Sequence, residues 1–151
     1  MHVPVLLKEV IEYLNPRPNE NFIDCTIGGG GHAFEILKYT RPSGKLLGID
    51  WNEEAIRSLK ERISSQKLEN RIILIQGNFA DLKNIIQEYK FFNVNGILAD
   101  LGISLDEILQ SGRGFSFMKD EPLDMRYSLK NQLTAEEILN DWPWEELEKI
   151  L

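Results

Sequence analysis

A run of four glycines, residues 28–31, separates a short apolar segment from an amphipathic one. Glycine lets the backbone turn tightly and approach a ligand, and the N-terminus of a following helix offers N–H groups without intrahelical partners. The spacing Gly28-x-Gly30-x-x-Ala33 also satisfies the dinucleotide-binding fingerprint. Taken alone, such a run is also compatible with a plain structural turn.

Asp50 strengthens the ligand interpretation because it stands 22 residues after Gly28. An acid about 20 residues past such glycines normally binds the two hydroxyls of an adenosine ribose. The alternative is helix capping, since Glu53 and Glu54 follow and aspartate is a good N-cap residue. Together with the glycine run, the spacing favours ribose binding.

Phe79 and Asp100 each follow a further apolar segment that is typical of a buried strand. Ligands of open α/β sheets bind outside the carboxyl ends of the strands, so these residues are expected to converge with the glycine run. Phe79 is a candidate to lie against an adenine ring, with an aromatic at the edge of the core as the alternative. Asp100 is a candidate site residue, with a turn residue at the strand end as the alternative.

Short apolar runs alternate with amphipathic stretches up to Gly102, which predicts an α/β fold with a mostly parallel sheet. The predicted strands are residues 21–25, 45–49, 71–75 and 94–99. The predicted helices are residues 4–14, a segment from the glycine run to about residue 39, and residues 53–64 and 81–89.

The pattern changes after Gly102, which predicts a domain boundary. We expect an incomplete α/β domain over residues 1–104, an irregular connection over 105–130 and the start of a helical domain over 131–151. Thr134 and Glu137 form a capping box for one helix, and a second helix is still running at Leu151. An open four-stranded sheet with such a tail indicates a truncated fold.

Charge and composition exclude several classes of function. The net charge is -7, and residues 120–151 carry nine acids against three bases, so an RNA partner would need a local basic patch. One cysteine and two histidines argue against a disulfide or a Cys/His zinc site. With no apolar run near ~20 residues and no export signal at the N-terminus, we expect a cytoplasmic protein without a membrane or metal partner.

The site residues leave two adenosine cofactors open: a nicotinamide dinucleotide and S-adenosylmethionine. A helix precedes the first predicted strand, whereas dinucleotide-binding domains usually open on the strand. The stretch after Asp50 is acidic and holds no base before Arg57, so it is not prepared for additional phosphate. Both features favour S-adenosylmethionine.

Five stretches resemble the MraW/RsmH family of small-subunit rRNA cytosine N-methyltransferases. The most specific are Gly-Phe-Ser-Phe-Met at 114–118 and Pro-Leu-Asp-Met-Arg at 122–126, and the others are residues 2–9, 24–32 and 96–104. The resemblance runs from His2 to about Leu139 and implies a class I S-adenosylmethionine-dependent, Rossmann-like fold with a helical domain inserted after strand four. Since the family proteins are longer, this chain resembles their N-terminal portion.

The resemblance also implies roles for individual residues. It implies methylation of the exocyclic amino group of a cytidine in small-subunit (16S) rRNA. Cofactor contacts would fall on Gly30, Gly31, His32, Asp50, Phe79 and Asp100, and the spacing argument adds Gly28. Glu107 stands where the family usually has a glutamine that contacts the cofactor, which weakens the transfer of that role.

The expected substrate contacts are Asp100 and residues of the segment that follows Gly102. Asp100 would accept a hydrogen bond from the cytosine amino group and act as the catalytic residue. Phe115 or Phe117 would stack on the displaced base, or alternatively fill the junction with the inserted domain. Arg113 and Arg126 would contact phosphates. The rival interpretations are a non-catalytic module that binds the cofactor or a partner, and an NAD-dependent oxidoreductase.

Overall fold

The structure is a computed structural model that describes residues 4–103 and 105–150, without the side chains of residues 105–107. The chain divides into two compact units, Met1–Leu101 and Gly102–Leu151. In the part of the chain that the structure describes, no helix combines the length and the apolar character needed to cross a membrane.

The first unit alternates helices and strands. In chain order its elements are α1 (Leu7–Leu14), β1 (Asn21–Asp24), α2 (Gly31–Tyr39), β2 (Leu46–Asp50), α3 (Glu53–Ser65), β3 (Ile72–Gln76), a 3₁₀ turn (Phe79–Asp81), α4 (Leu82–Glu88) and β4 (Val94–Leu98). The predicted strands and helices of this unit are confirmed, with bounds that differ by one to three residues. The largest difference is at α1, which was predicted from residue 4 but begins at Leu7. The left-handed φ of 49° at Leu6 prevents the helix from extending further toward the N-terminus.

The four strands form one parallel sheet in the order β3-β2-β1-β4. Ile23 of β1 pairs with Leu47 of β2 on one side and with Ile97 of β4 on the other. Because all strands run in the same direction, their carboxyl ends lie along a single edge. The loops after the four strands therefore meet at that edge, as the sequence predicts.

Both faces of the central strands are buried. On one face, Phe22 and Leu46 pack with Ile36 of α2 and Leu59 of α3. On the other face, residues of β1 and β2 pack with those of α4 and its flanks, in a cluster of Ile23, Cys25, Leu47, Ile49, Ile75, Ile85 and Phe91. Strands covered on both sides are apolar at successive positions, which is why β1 and β2 are detectable in the sequence. The sheet is a rigid platform for the loops at its edge.

In its described residues, the second unit holds three short helices, α5 (Leu105–Gln110), α6 (Ala135–Asp141) and α7 (Trp144–Ile150). The irregular connection predicted over residues 105–130 was wrong for residues 105–110, which have helical apolar spacing and no glycine or proline before Gly112. The capping box of α6 is confirmed: the Thr134 hydroxyl accepts from the Glu137 N–H, and the Glu137 carboxylate accepts from the Thr134 N–H at 2.8 Å.

Candidate functional site

Three aspartates stand at the carboxyl edge of the sheet. Asp24 and Asp50 are the last residues of β1 and β2, and Asp100 follows β4 by two residues. Asp50 and Asp100 were predicted as site residues, whereas Asp24 was not. Asp24 is close enough to the other two that their charges act on its ionisation. The edge is therefore strongly acidic.

Asp50 joins the glycine run to the end of β2. Its Oδ2 atom accepts a hydrogen bond from the Gly28 N–H at 2.8 Å, and its Oδ1 atom accepts one from the Asn52 N–H, also at 2.8 Å. The side chain is buried, with 8% of its surface exposed. Capping of α3 falls to Asn52, whose side-chain oxygen accepts from the N–H groups of Glu54 and Ala55. The alternative interpretation of Asp50 as the helix cap was therefore wrong.

The glycine run is bent by left-handed backbone at Gly28 and Gly30, with φ of 45° and 77°. A Cβ atom at Gly30 would lie 2.7 Å from the Leu59 Cδ1 atom, so this glycine lets the loop pack on α3. A Cβ atom at Gly28 would meet nothing closer than 3.9 Å, and the backbone there stays open to a ligand. Gly30 therefore allows close packing against α3, and Gly28 allows a ligand to approach the backbone.

We expect Gly30→Ala to lower the free energy of unfolding by about 2 kcal/mol, because alanine is strained at this φ and its methyl overlaps Leu59. Gly29→Ala is the matched control, since Gly29 lacks a left-handed φ and its Cβ would lie 3.7 Å from Arg62. Urea unfolding should place Gly29→Ala within about 0.5 kcal/mol of the unmodified chain. Equal losses of stability in the two variants would contradict the packing role of Gly30.

A cleft of about 420 Å³ opens at the acidic edge, within the size range of small-ligand sites. Its lining brings together residues from the N-terminal segment, the glycine run, α2, α3 and the end of β4: Pro4, Thr26, Ile27, Gly28, Gly29, Gly31, His32, Arg62 and Asp100. Four of these residues were predicted for the site: Gly28, Gly31, His32 and Asp100. Of the other predicted residues, Gly30 packs against Leu59 of α3 and Asp50 accepts from the Gly28 N–H, and neither is among the lining residues of the cleft. Phe79, 44% exposed, lies in the turn after β3.

His32 is buried at the start of α2 and is held by the N-terminal segment. Its Nε2 atom is 2.9 Å from the Val5 carbonyl oxygen and donates to it in the matching tautomer. A Cβ atom at the neighbouring Gly31 would lie 2.3 Å from the Pro4 Cγ atom, so this segment packs directly on the helix N-terminus. The N-terminal segment therefore forms one wall of the cleft.

Asp24, Thr26 and Arg62 belong to this site but were not predicted from the sequence. Asp24 is 1% exposed, and burial raises its pKa to about 6 against the ordinary 3.8. Hydrogen bonding by the Thr26 N–H and the charge of His32 lower this pKa, while Asp50 and Asp100 raise it further. Arg62 donates to the Gly29 carbonyl, and its guanidinium carbon lies 4.9 Å from the centre of the Phe34 ring. No pattern in the sequence marks Arg62, since it stands among the polar residues of an amphipathic helix.

In the second unit, the predicted phosphate contacts organise the loop between α5 and α6. Arg113 donates to the carbonyl groups of Arg126 and Tyr127. Arg126 forms a two-pronged pair with Asp124, at 2.8 and 2.7 Å, and hydrogen bonds from Arg126 lower the pKa of Asp124 to about 2. Both arginines therefore have structural partners within their own loop.

The remaining predicted residues of this unit differ in exposure. Phe117 is 98% exposed, and the Phe115 ring lies 5.4 Å from the guanidinium carbon of Arg113. Glu107 belongs to α5, but its side chain lies outside the described part of the chain. In the described residues, no group of His, Cys, Asp and Glu side chains is arranged to hold a metal ion.

Two solved structures share the fold of the chain. Protein-L-isoaspartate O-methyltransferase is similar over 66% of this chain and 30% of its own, with 14% identity and a TM-score of 0.54. The structure titled PH0851 is similar over 69% of this chain and 23% of its own, with 18% identity and a TM-score of 0.56. The predicted α/β, class I methyltransferase fold is confirmed.

The sequence profile described as the MraW methylase family matches residues 1–151, and the chain belongs to that family. Two relatives named ribosomal RNA small subunit methyltransferase H illustrate the match. The protein of Mycoplasma mycoides subsp. mycoides SC is 45% identical over 99% of this chain and 48% of its own length. The protein of Dictyoglomus thermophilum is 46% identical over 99% of this chain and 50% of its own. The chain thus spans about half the length of these relatives.

Proposed function

We propose that this chain forms the cofactor-binding part of an S-adenosylmethionine-dependent methyltransferase that acts in the cytoplasm on small-subunit rRNA. Its target is the exocyclic amino group of a cytidine. The observation that carries the proposal is the bond between Asp50 and the Gly28 N–H. This bond joins the glycine run to the acid that we propose binds the ribose, at the edge of a parallel sheet where ligands of such folds usually bind. Membership in the MraW methylase family supports the same assignment.

The charge of the edge distinguishes between the two adenosine cofactors. Asp24, Asp50 and Asp100 stand there, and Arg62 is a cation in the lining of the adjacent cleft. An excess of carboxylates attracts a sulfonium ion and repels the pyrophosphate of a dinucleotide. The residues present therefore fit S-adenosylmethionine better than NAD.

Each predicted contact has a part in holding this cofactor. Asp50 would bind the ribose hydroxyls, since an ionised carboxylate offers about four acceptor sites and can serve hydroxyls besides backbone N–H groups. Gly28 and its neighbours in the glycine run would admit the ligand close to the backbone. Phe79, exposed after β3, would cover the adenine ring. His32, Asp100 and Glu107 complete the proposed contacts.

Bound S-adenosylmethionine would supply an activated methyl group for transfer to the cytosine amino nitrogen, and Asp50 and the glycine run would hold the cofactor. Asp100 aligns the amino group by accepting a hydrogen bond from one of its N–H groups. Its negative charge also favours the positive charge that develops on the nitrogen. Asp100 suits both tasks because it is exposed and lines the cleft.

RNA recognition is proposed for the loop between α5 and α6. Phe117, almost fully exposed, is suited to stack on an extruded base, and Phe115 is the second candidate. Arg113 and Arg126 would contact phosphates from an already ordered loop. With Asp124 paired to Arg126, much of the attraction for RNA would have to come from Arg113.

The function is tested by transfer of labelled methyl groups to small ribosomal subunits that lack this modification. The assay compares this chain with the same chain extended by the second half of the Mycoplasma mycoides relative. We expect the extended protein to label a cytidine and its Asp100→Asn variant to lose at least about tenfold in rate. Cofactor binding without transfer by either protein would contradict the enzymatic proposal and favour a non-catalytic module.

A further inference from the structure

Thr26 connects the ends of two neighbouring strands at the cleft. Its hydroxyl oxygen accepts a hydrogen bond from the Asp100 N–H at 2.8 Å. Two residues before Asp100, the Leu98 carbonyl accepts from the Cys25 N–H at 2.8 Å. The Cys25 backbone and the Thr26 side chain therefore both tie the segment after β1 to the end of β4.

Thr26 is itself held by Asp24, the last residue of β1. Its N–H donates to the Asp24 Oδ1 atom at 3.1 Å, and Asp24 is buried at the end of β1. A chain of contacts thus runs from the buried Asp24 through Thr26 to the backbone of Asp100. A residue fixed at both its N–H and its hydroxyl has little freedom, so the geometry is transmitted to Asp100.

We propose that Thr26 is a positioning residue that holds the Asp100 carboxylate at the mouth of the cleft, where it faces the cofactor and the target amino group. Both residues line that cleft. The inference rests on the proposed function, because Asp100 is the group that Thr26 positions. Sequence spacing does not reveal this role, since threonine at a strand end is common in turns.

The test is a double-mutant cycle that is read by the affinity for S-adenosylmethionine in calorimetry. Thr26→Val removes the acceptor at nearly constant volume, and we expect it to weaken binding about fivefold to tenfold. Thr26→Ser keeps the hydroxyl and should stay within about twofold of the unmodified chain. In an Asp100→Asn background, Thr26→Val should add less than about twofold, because its effect passes through the carboxylate.

A second readout needs no ligand. Amide hydrogen exchange of Asp100 should accelerate in Thr26→Val and stay slow in Thr26→Ser. Urea unfolding of each variant checks that the fold persists, and Thr26→Ala repeats the test if the valine is not tolerated.

Three results would overturn the inference, and they are distinguishable. Equal losses from Thr26→Val in both backgrounds would mean that the residue acts on the fold and not through Asp100. Unchanged exchange at the Asp100 amide would mean that the hydrogen bond is not formed. Failure of the unmodified chain to bind S-adenosylmethionine would instead refute the proposed function, and the positioning role with it.

Discussion

Asp50→Ala is expected to weaken the binding of S-adenosylhomocysteine by about 1.5–3 kcal/mol, or roughly tenfold to 150-fold, because it removes charge-assisted hydrogen bonds to the ribose. The carboxylate lies at the end of β2 and holds the Gly28 N–H, so its loss also loosens the glycine run. Both effects act in the same direction on affinity. Calorimetric titration of the purified variant measures the change.

The control for this substitution is Asn52→Ala at the next turn of the chain. It removes the cap of α3 and should cost about 1 kcal/mol of stability. Because Asn52 is not expected to contact the ligand, its affinity should change by less than about twofold. If the Asp50→Ala variant is destabilised but binds the ligand with unchanged affinity, the prediction is wrong, and Asp50 has only a structural role in holding the glycine run.

Asp24→Asn is expected to stabilise the chain at neutral pH. Burial raises the pKa of Asp24 to about 6, about two units above its ordinary value, and a shift of that size corresponds to about 3 kcal/mol. Asparagine keeps an oxygen that can accept from the Thr26 N–H, but it carries no charge to desolvate. We expect a gain of about 1–3 kcal/mol in the free energy of unfolding at pH 7.

The sign of the pH dependence follows from proton binding. Between pH 3.8 and about 6, the folded state holds a proton on Asp24 that the unfolded state has released. The contribution of Asp24 to stability is therefore fully present below pH 3.8 and is lost as pH rises through about 6. The gain from Asp24→Asn should accordingly be near zero at about pH 4 and should grow toward pH 7.

Asp124→Asn is a control of opposite sign. Hydrogen bonds from Arg126 lower the pKa of Asp124, so loss of this charge should destabilise the chain at neutral pH. Urea unfolding at several pH values measures both variants. A pH profile of Asp24→Asn that parallels the unmodified chain would show that Asp24 does not titrate as its burial implies.

The parallel sheet and the converging loops could be predicted from the sequence because the central strands are buried on both faces. Ile23 and Leu47 belong to short apolar runs bounded by polar residues, which is the pattern of an internal parallel strand. The glycine run and Asp50 were accessible because ribose recognition imposes a spacing on them. The short helix α5 was not predicted because Gly112, Gly114 and Pro122, further along residues 103–130, are typical of irregular backbone.

Other features of the site depend on packing that no local pattern encodes. Asp50 lies in β2, three residues before α3 begins, so Asn52 directly before the helix takes the cap position. Asp24 was overlooked because its importance comes from burial and from carboxylates on other strands. Thr26 and Arg62 act through partners 74 and 33 residues away in the chain. Such long-range contacts follow only once the sheet is assembled.

The central claim, that an adenosyl group binds across the strand ends, is tested most directly by an amide NMR titration of the chain with S-adenosylhomocysteine. We expect saturable changes in amide chemical shift that are concentrated at Thr26, the glycine run, Asp50, Phe79 and Asp100. NAD should cause no comparable change. Shifts confined to other surfaces, or a response to NAD alone, would contradict it.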